Sequence, residues 1–400
     1  MKRRDHSVGQ ANNAIDQKAS YALLSAITYG GQAGYTINTA ANPNLGWEKS
    51  KSTDLAIDLG LFNNRVQLSL DYYTKKTTDL LYKVPIPGAT GFTLQWDNLG
   101  DIDNRGFEIE LNTKNLTGAF KWTSNFNLGY NENTVKKLGS SDTPVYSGFD
   151  NTNVSNVLQV GLPINTFYMY QATGVWKTQA EINAYSAAHN GIPVTFNGAP
   201  FKPGDIRYND VNGDGVITIA DKSYLGAPSP KFTYGLTNTF EYKKFDLTIL
   251  VTAQSGGKIL GILGRALDRP GMGALSNVFG NWRNAWWSET EPGDGKTPYI
   301  LSTTTGTTID SRWLYSSDYI RIKNISFGYR LPYLPKVYSS ARVYVSVENL
   351  AILTGYTGGY SPEAANSGVS GAPGGSNSLG IDYGGYPTSR VISMGINVTF

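Results

Sequence analysis

The sequence predicts an all-β protein, an antiparallel transmembrane β-barrel with long extracellular loops. Three observations predict it. Hydrophobic residues recur at every second position in runs of strand length. Short turns and long connections alternate between those runs. Charged residues make up only 16% of the 400, while 26 Tyr and 45 Gly suit strands and turns better than helices.

The strands follow in order. Leu55, Ile57, Leu59 and Leu61 alternate with Asp54, Ala56, Asp58 and Gly60, which sets the two groups on opposite faces of one strand. A turn at Phe62-Asn63-Asn64 leads to Val66, Leu68, Leu70 and Tyr72. Phe107, Ile109 and Leu111 alternate with Glu108 and Glu110, then turn over residues 115–118 into Phe120, Trp122, Phe126, Leu128 and Tyr130. Phe232, Tyr234, Leu236 and Phe240 turn near Lys243-Lys244 into Phe245, Leu247, Ile249, Val251 and Ala253. Ile325, Phe327 and Tyr329 pass a proline-bearing turn to Val343, Val345 and Val347. The last strand carries Ile392, Met394, Ile396, Val398 and Phe400.

Residues 1–41 read as an N-terminal loop or truncated strand region, and 42–400 as barrel. Long loops are expected near 82–104, 132–230, 256–317 and 353–387. Outer-membrane barrels pair short periplasmic turns with long extracellular loops, and that phase puts the C-terminus on the periplasmic side. A soluble sandwich also alternates. It rarely carries several structureless loops longer than about 12–15 residues. Tyr72, Tyr130, Tyr242 and Tyr329, near strand ends, fit interfacial aromatic girdles.

Other classes are excluded by composition. The net charge of +3 and the absence of a basic stripe argue against nucleic acid. Lys2-Arg3-Arg4 reads as a solvated end. There is no cysteine, and His6 and His189 are the only histidines, so thiol chemistry and a histidine zinc site are out. No apolar run reaches the about 20 residues of a spanning helix. Met1–Gln10 has a basic start without an apolar stretch, so it is not a signal peptide.

Several segments resemble the C-terminal half of SusC/RagA-like, TonB-dependent (TonB-linked) outer-membrane transporters. They are Asn42-Pro43-Asn44-Leu45-Gly46-Trp47-Glu48, Asp71-Tyr72-Tyr73-Thr74-Lys75-Lys76, Asn104-Arg105-Gly106-Phe107-Glu108, Gly204-Asp205-Ile206-Arg207-Tyr208, Gly226-Ala227-Pro228-Ser229-Pro230-Lys231-Phe232, Tyr319-Ile320-Arg321-Ile322-Lys323-Asn324-Ile325-Ser326-Phe327-Gly328-Tyr329 and Val347-Glu348-Asn349-Leu350. The order matches from about Asn42 to Phe400. The resemblance implies a partial barrel, about nine or ten C-terminal strands of a larger one, in the outer membrane of a Bacteroidetes-type bacterium. It implies import of glycans or peptides with a SusD-like surface lipoprotein, driven by the TonB system. The plug, the TonB box and the remaining strands have no counterpart in these residues, so the chain reads as a fragment that does not transport alone.

The sharpest local motif is Asp210-Val211-Asn212-Gly213-Asp214-Gly215-Val216-Ile217-Thr218-Ile219-Ala220-Asp221, which follows the spacing of an EF-hand-type calcium loop. Asp210, Asn212, Asp214, Thr218 and Asp221 would offer side-chain oxygens and Val216 its carbonyl to a structural Ca²⁺. The same residues also favour plain turns. Trp282, Trp286 and Trp287, placed on a short helix, and Tyr356, Tyr360, Tyr383 and Tyr386 are candidates for stacking a sugar, though loop packing is the stronger reading. Glu108 and Glu110 share one strand face and point into a polar lumen, so no enzyme is expected. The alternative reading is a soluble, calcium-stabilised, glycan-binding β protein.

Overall fold

A computed structural model describes residues 2–11, 20–21, 23–86, 89, 91–92, 94–139, 141–148, 154–267, 280–300, 302, 308–334, 337–363 and 380–400. Ten strands form one antiparallel sheet in chain order. They are Lys2–Ala11 (β1), Glu48–Leu61 (β2), Val66–Pro85 (β3), Leu94–Thr117 (β4), Phe120–Leu138 (β5), Phe232–Tyr242 (β6), Phe245–Ser255 (β7), Tyr319–Arg330 (β8), Ser340–Thr354 (β9) and Val391–Thr399 (β10). The sheet does not close on itself: β1 and β10 are its two edges. This is the wall of a partial barrel.

The register turns the sequence alternation into continuous bands. Leu59, Leu68, Leu111, Phe126, Leu236, Val251, Ile322 and Ala351 lie side by side across eight strands. One residue along, Asp58, Ser69, Glu110, Asn127, Gly235, Thr252 and Arg321 make the matching row on the other face. The apolar face is uncovered: Tyr72 is 51% exposed, Phe327 50% and Met394 82%. A soluble sandwich would bury that face against a second sheet; a barrel turns it to lipid.

Two aromatic belts bound the apolar face. Tyr72, Phe107, Tyr130 and Phe232 are in register at one level, and the Phe107–Tyr130 and Tyr130–Phe232 ring centroids stand 5.2 and 4.9 Å apart. Phe120, Tyr242, Phe245 and Tyr329 mark the other, with Phe245 4.9 Å from Tyr329. Along β6 the belts are separated by the span from Phe232 to Tyr242. At about 3.3 Å per residue this is about 33 Å of strand, or about 25 Å of height at a ~40° tilt, the thickness of an outer-membrane apolar band.

The connections β2–β3, β4–β5, β6–β7 and β8–β9 lie at the second belt: residues 62–65, 118–119, 243–244 and 331–339. Phe62, Asn63 and Asn64 all adopt left-handed φ there, which the short polar asparagines tolerate. The other connections between these ten strands lie at the opposite end.

Three sequence expectations need correction. The span 82–104 is mostly strand: β3 runs through Pro85, which pairs with Leu94. Residues 2–11 are a full-length strand rather than a solvated end, paired with β2 from Lys2↔Ile57 to Ala11↔Glu48, and a hairpin of Leu23–Tyr29 and Gln32–Thr39 follows. The spans 132–230, 256–317 and 353–387 are not structureless. They carry short strands, a helix over Gln179–Ala188 (α1) and three buried clusters. A membrane-facing wall has no sandwich core of its own, so the buried apolar side chains collect in this layer.

On the polar face, long side chains cross glycines. Tyr73, Gly106 and Asn131 stand side by side on β3, β4 and β5, and the Tyr73 hydroxyl donates to Asn131 Oδ1 at 3.0 Å over the bare Gly106. A Cβ there would lie 2.6 Å from the Tyr73 hydroxyl. Arg342 likewise crosses Gly328 to reach Asp246 on β7, where a Cβ would meet the guanidinium at 2.5 Å from Nε. Gly106→Val and Gly328→Val are each expected to lower the folded fraction, by about 1–3 kcal/mol for overpacking alone. The readout is the heat-modifiable band on cold gels, with Ser326→Val as the tolerated control.

Candidate functional site

The layer above the first belt is one knitted unit. Its first cluster gathers Tyr170, Val175, Trp176, Ile182, Phe201, Ile206 and Tyr208 around α1, whose N-terminus is capped by Thr178 accepting from the Glu181 amide. Its second brings Phe167 and Met169 together with Leu260, Ile262, Ile309, Trp313 and Ile381, from three connections far apart in sequence. Lys258–Gly261 pairs with Leu314–Ser316 and with Ile381–Asp382, so backbone hydrogen bonds join the same segments. The third cluster, Ile102, Val135, Leu138 and Leu158, fastens the layer to β4 and β5.

Buried polar groups lock the seams. Asp310 is fully buried; its carboxylate accepts from Arg312 Nη2 at 2.8 Å and from the Tyr208 hydroxyl at 2.8 Å. Burial, then the neighbouring Asp310 charge, push the Tyr208 phenol well up, so it stays a donor. Arg321 is buried and holds Glu363 at 2.5 Å, Asn349 at 3.2 Å and Thr388 at 2.9 Å, which ties the last connection to the wall. Tyr356 donates to the buried Asp382 at 2.5 Å. Sequence reading missed these anchors. The available signal was isolated charges, such as Asp310 and Asp382, within aromatic and apolar segments.

The loop over 210–221 is closed by its own amides. Asp210 accepts from Gly213 N at 2.7 Å, Gly215 N at 2.8 Å and the Tyr185 hydroxyl at 2.8 Å. Asp221 is fully buried and accepts from Val211 N and Thr218 N, which caps a short 3-10 turn over Ile219–Asp221. Thr218 accepts from Ala220 N, and Asp214 accepts from Val216 N and from the Asn212 amide. Val216 pairs with Thr195. Thus the six donors stay in one loop but turn mostly toward its backbone. Among the described residues no three His, Asp or Glu side chains gather to hold a metal. Fit to a cation is partial: Asp214 and Asn212 would have to give up their mutual bond.

Asp210 is largely buried, and burial alone would raise its carboxyl. The Tyr185 hydroxyl and the Gly215 and Gly213 amides outweigh that and hold it below its ordinary value. Lys222, between the Tyr168 and Tyr170 rings at 5.8 and 5.2 Å, has its ammonium lowered by burial.

The three tryptophans separate. Trp282 is buried. Trp286 donates from Nε1 to Lys177 O at 2.8 Å and stands edge-on to Tyr299. Both are packing anchors. Trp287 is half exposed. The expected short helix is only a 3-10 turn over Gly280–Asn284, with Trp286 and Trp287 beyond it. Tyr360 and Tyr386 are exposed, whereas Tyr356 is buried. Glu108 and Glu110 face the interior of the wall with Asp71 and Asp58 opposite or beside them.

An open antiparallel wall with a lipid-type band, two belts and a folded layer at one end defines an outer-membrane-type β-barrel. Comparison with known proteins gives the family: residues 10–350 match the TonB dependent receptor-like β-barrel model, and the chain belongs to that family. It is 36% identical over 374 residues to TonB-dependent receptor P3 of Formosa agariphila, covering 92% of this chain and 36% of that protein. It is 28% identical to the TonB-dependent receptor SusC of Bacteroides thetaiotaomicron, over 90% of this chain and 33% of that protein. A solved structure of the RagAB peptide transporter superposes with a TM-score of 0.78 at 23% identity, covering 100% of this chain and 40% of that one. The chain therefore spans about a third of the length of these curated relatives.

Two outcomes are expected. Asp310→Ala removes the buried carboxylate that Arg312 and Tyr208 share, and should cost the layer about 1–3 kcal/mol in local stability. Limited proteolysis within 256–318 reads it. Asp210 is held low, so its stabilisation is full above about pH 4 and is lost as pH falls through its lowered folded value. Amide protection at Gly213 and Gly215 should fall below that pH, and in Asp210→Asn, which keeps one acceptor oxygen, one of the two amides should be unprotected at every pH.

Proposed function

We propose that the chain forms the C-terminal wall and outer layer of a TonB-dependent importer of SusC/RagA type in the outer membrane. One observation carries this: the in-register apolar band, uncovered and bounded by two belts about 25 Å apart. The open edges of β1 and β10 support completion by further strands, since unpaired backbone is not tolerated in lipid. The polar, acid-bearing inner face suits a wet lumen holding a plug. The folded layer at the long-loop end offers a seat for a SusD-like lipoprotein. The substrate class is a glycan or a peptide, from the SusC and RagAB likenesses. Neither class needs catalysis by this chain.

Leu236→Arg, at mid-band, should lower the stability of the inserted protein by about 2–4 kcal/mol, whereas Ser69→Arg, in the lumen row between Asp58 and Glu110, is tolerated. Folding in detergent micelles, read by heat-modifiable migration, distinguishes them. Equal folding of both variants, or a chain soluble without detergent, would reject the reading and favour the soluble glycan-binding alternative.

We also propose that Ca²⁺ enters the 210–221 loop. Support comes from the oxygen spacing and from Gly215, at loop position six with φ +85°, where a Cβ would press on His189. Added Ca²⁺ should raise protease resistance of the loop and EDTA should reverse it, with Asp214→Ala insensitive to both. Identical digestion with Ca²⁺ and with EDTA ends the idea.

A further inference from the structure

Just above the first belt the outward face changes abruptly from aromatic to charged. Thr53, Thr74, Arg105 and Glu132 form the next outward row, two residues beyond Leu55, Tyr72, Phe107 and Tyr130. Lys51, Lys76, Asp103 and Thr134 form the row after that. These rows stand about 5 and 10 Å above the belt at ~3.3 Å per residue and a ~40° tilt. That is the headgroup zone, which adds about 5–8 Å to each side of a bilayer core.

The rows enclose a surface cavity of about 330 Å³ lined on the outward face by four cationic side chains, Lys51, Lys76, Arg105 and Lys136, against two acidic ones, Asp103 and Glu132. Arg105 is held by Glu132 at 2.8 Å, and Lys76 by Asp101 at 3.5 Å. Lys51 and Lys136 have no ion-pair partner among the described residues. With Lys76 and Arg105 paired, Lys51 and Lys136 carry the positive excess on either side of the cavity, against the single carboxylate of Asp103, unpaired among the described residues.

We propose that this cavity seats a phosphorylated glycolipid of the outer leaflet, with Lys51 and Lys136 on its phosphate and its acyl chains along Leu55, Tyr72, Phe107 and Tyr130. The inference rests on the membrane-spanning reading above. Continuity argues for a lipid over a soluble anion. The cationic rows run directly into the apolar band, so one amphipathic molecule satisfies both, whereas a free phosphate would leave the aromatic floor unused. Juxtaposed lysines attract anionic headgroups, and the attraction is screened by salt.

The test uses protein extracted from outer membranes in a mild detergent, with bound glycolipid counted by native mass spectrometry. Lys51→Glu with Lys136→Glu should lower retained glycolipid at least tenfold. Lys243→Glu with Lys244→Glu, the same charge change at the opposite end, should leave it unchanged. Equal retention in both double variants would overturn the proposal. So would displacement of the bound glycolipid by millimolar inorganic phosphate, which would mark a small-anion site. Membrane-inserted, heat-modifiable protein that carries no glycolipid defeats this inference alone; protein absent from the outer membrane defeats the importer reading as well.

Discussion

The structure depends on one constraint. In lipid, each backbone N–H and C=O must find a partner in the protein, so strands can cross only side by side. The ten-strand register meets that demand for eight interior strands and leaves it open at β1 and β10. Given the pairing, side-chain direction follows from period two. Leu59 and its row must face outward if Asp58 and its row face in. A single-residue slip of β4 against β3 would put Glu108 and Glu110 into the apolar band.

The glycines on the lumen face have a matching logic. Gly106 and Gly328 lie under Tyr73 and Arg342, which reach partners two strands away. These long contacts brace the sheet across its strands, in a direction where backbone hydrogen bonds alone allow shear and twist. The segments that resemble the transporter family include these same glycines with the residues around them. The resemblance thus has a packing cause and is more than a string of shared letters.

What was legible in the sequence is what a lipid–water contrast writes strongly. Lipid on one face and a wet lumen on the other produced the alternation at Leu55–Leu61, Val66–Tyr72 and Phe245–Ala253, and the phase of turns and loops followed. Above the belt that contrast fades. Tyr82 to Pro85 on one strand and Asp101 to Asp103 on the next fall within the span 82–104 that reads as loop, and the register nearby is irregular. The outer layer was hidden for another reason: its core is assembled from single residues, such as Phe167, Leu260, Ile309 and Ile381, contributed by distant segments. At 210–221 spacing was legible but lone-pair direction was not. Nothing in the order of residues says that Asp221 turns to the amides of Val211 and Thr218.

The overshoot of β3 and β4 changes how force passes through the molecule. Beyond Tyr72, β3 continues to Pro85, about 43 Å of strand at ~3.3 Å per residue, still paired with β4. The outer layer hangs from this projection through Ile102, Val135 and Leu138. A body resting on the layer therefore loads a paired ribbon rooted in the wall, whose register breaks at Thr77–Leu81. Ile102, which joins the layer, pairs with Thr77 at that break, so load enters the ribbon where its ladder is interrupted.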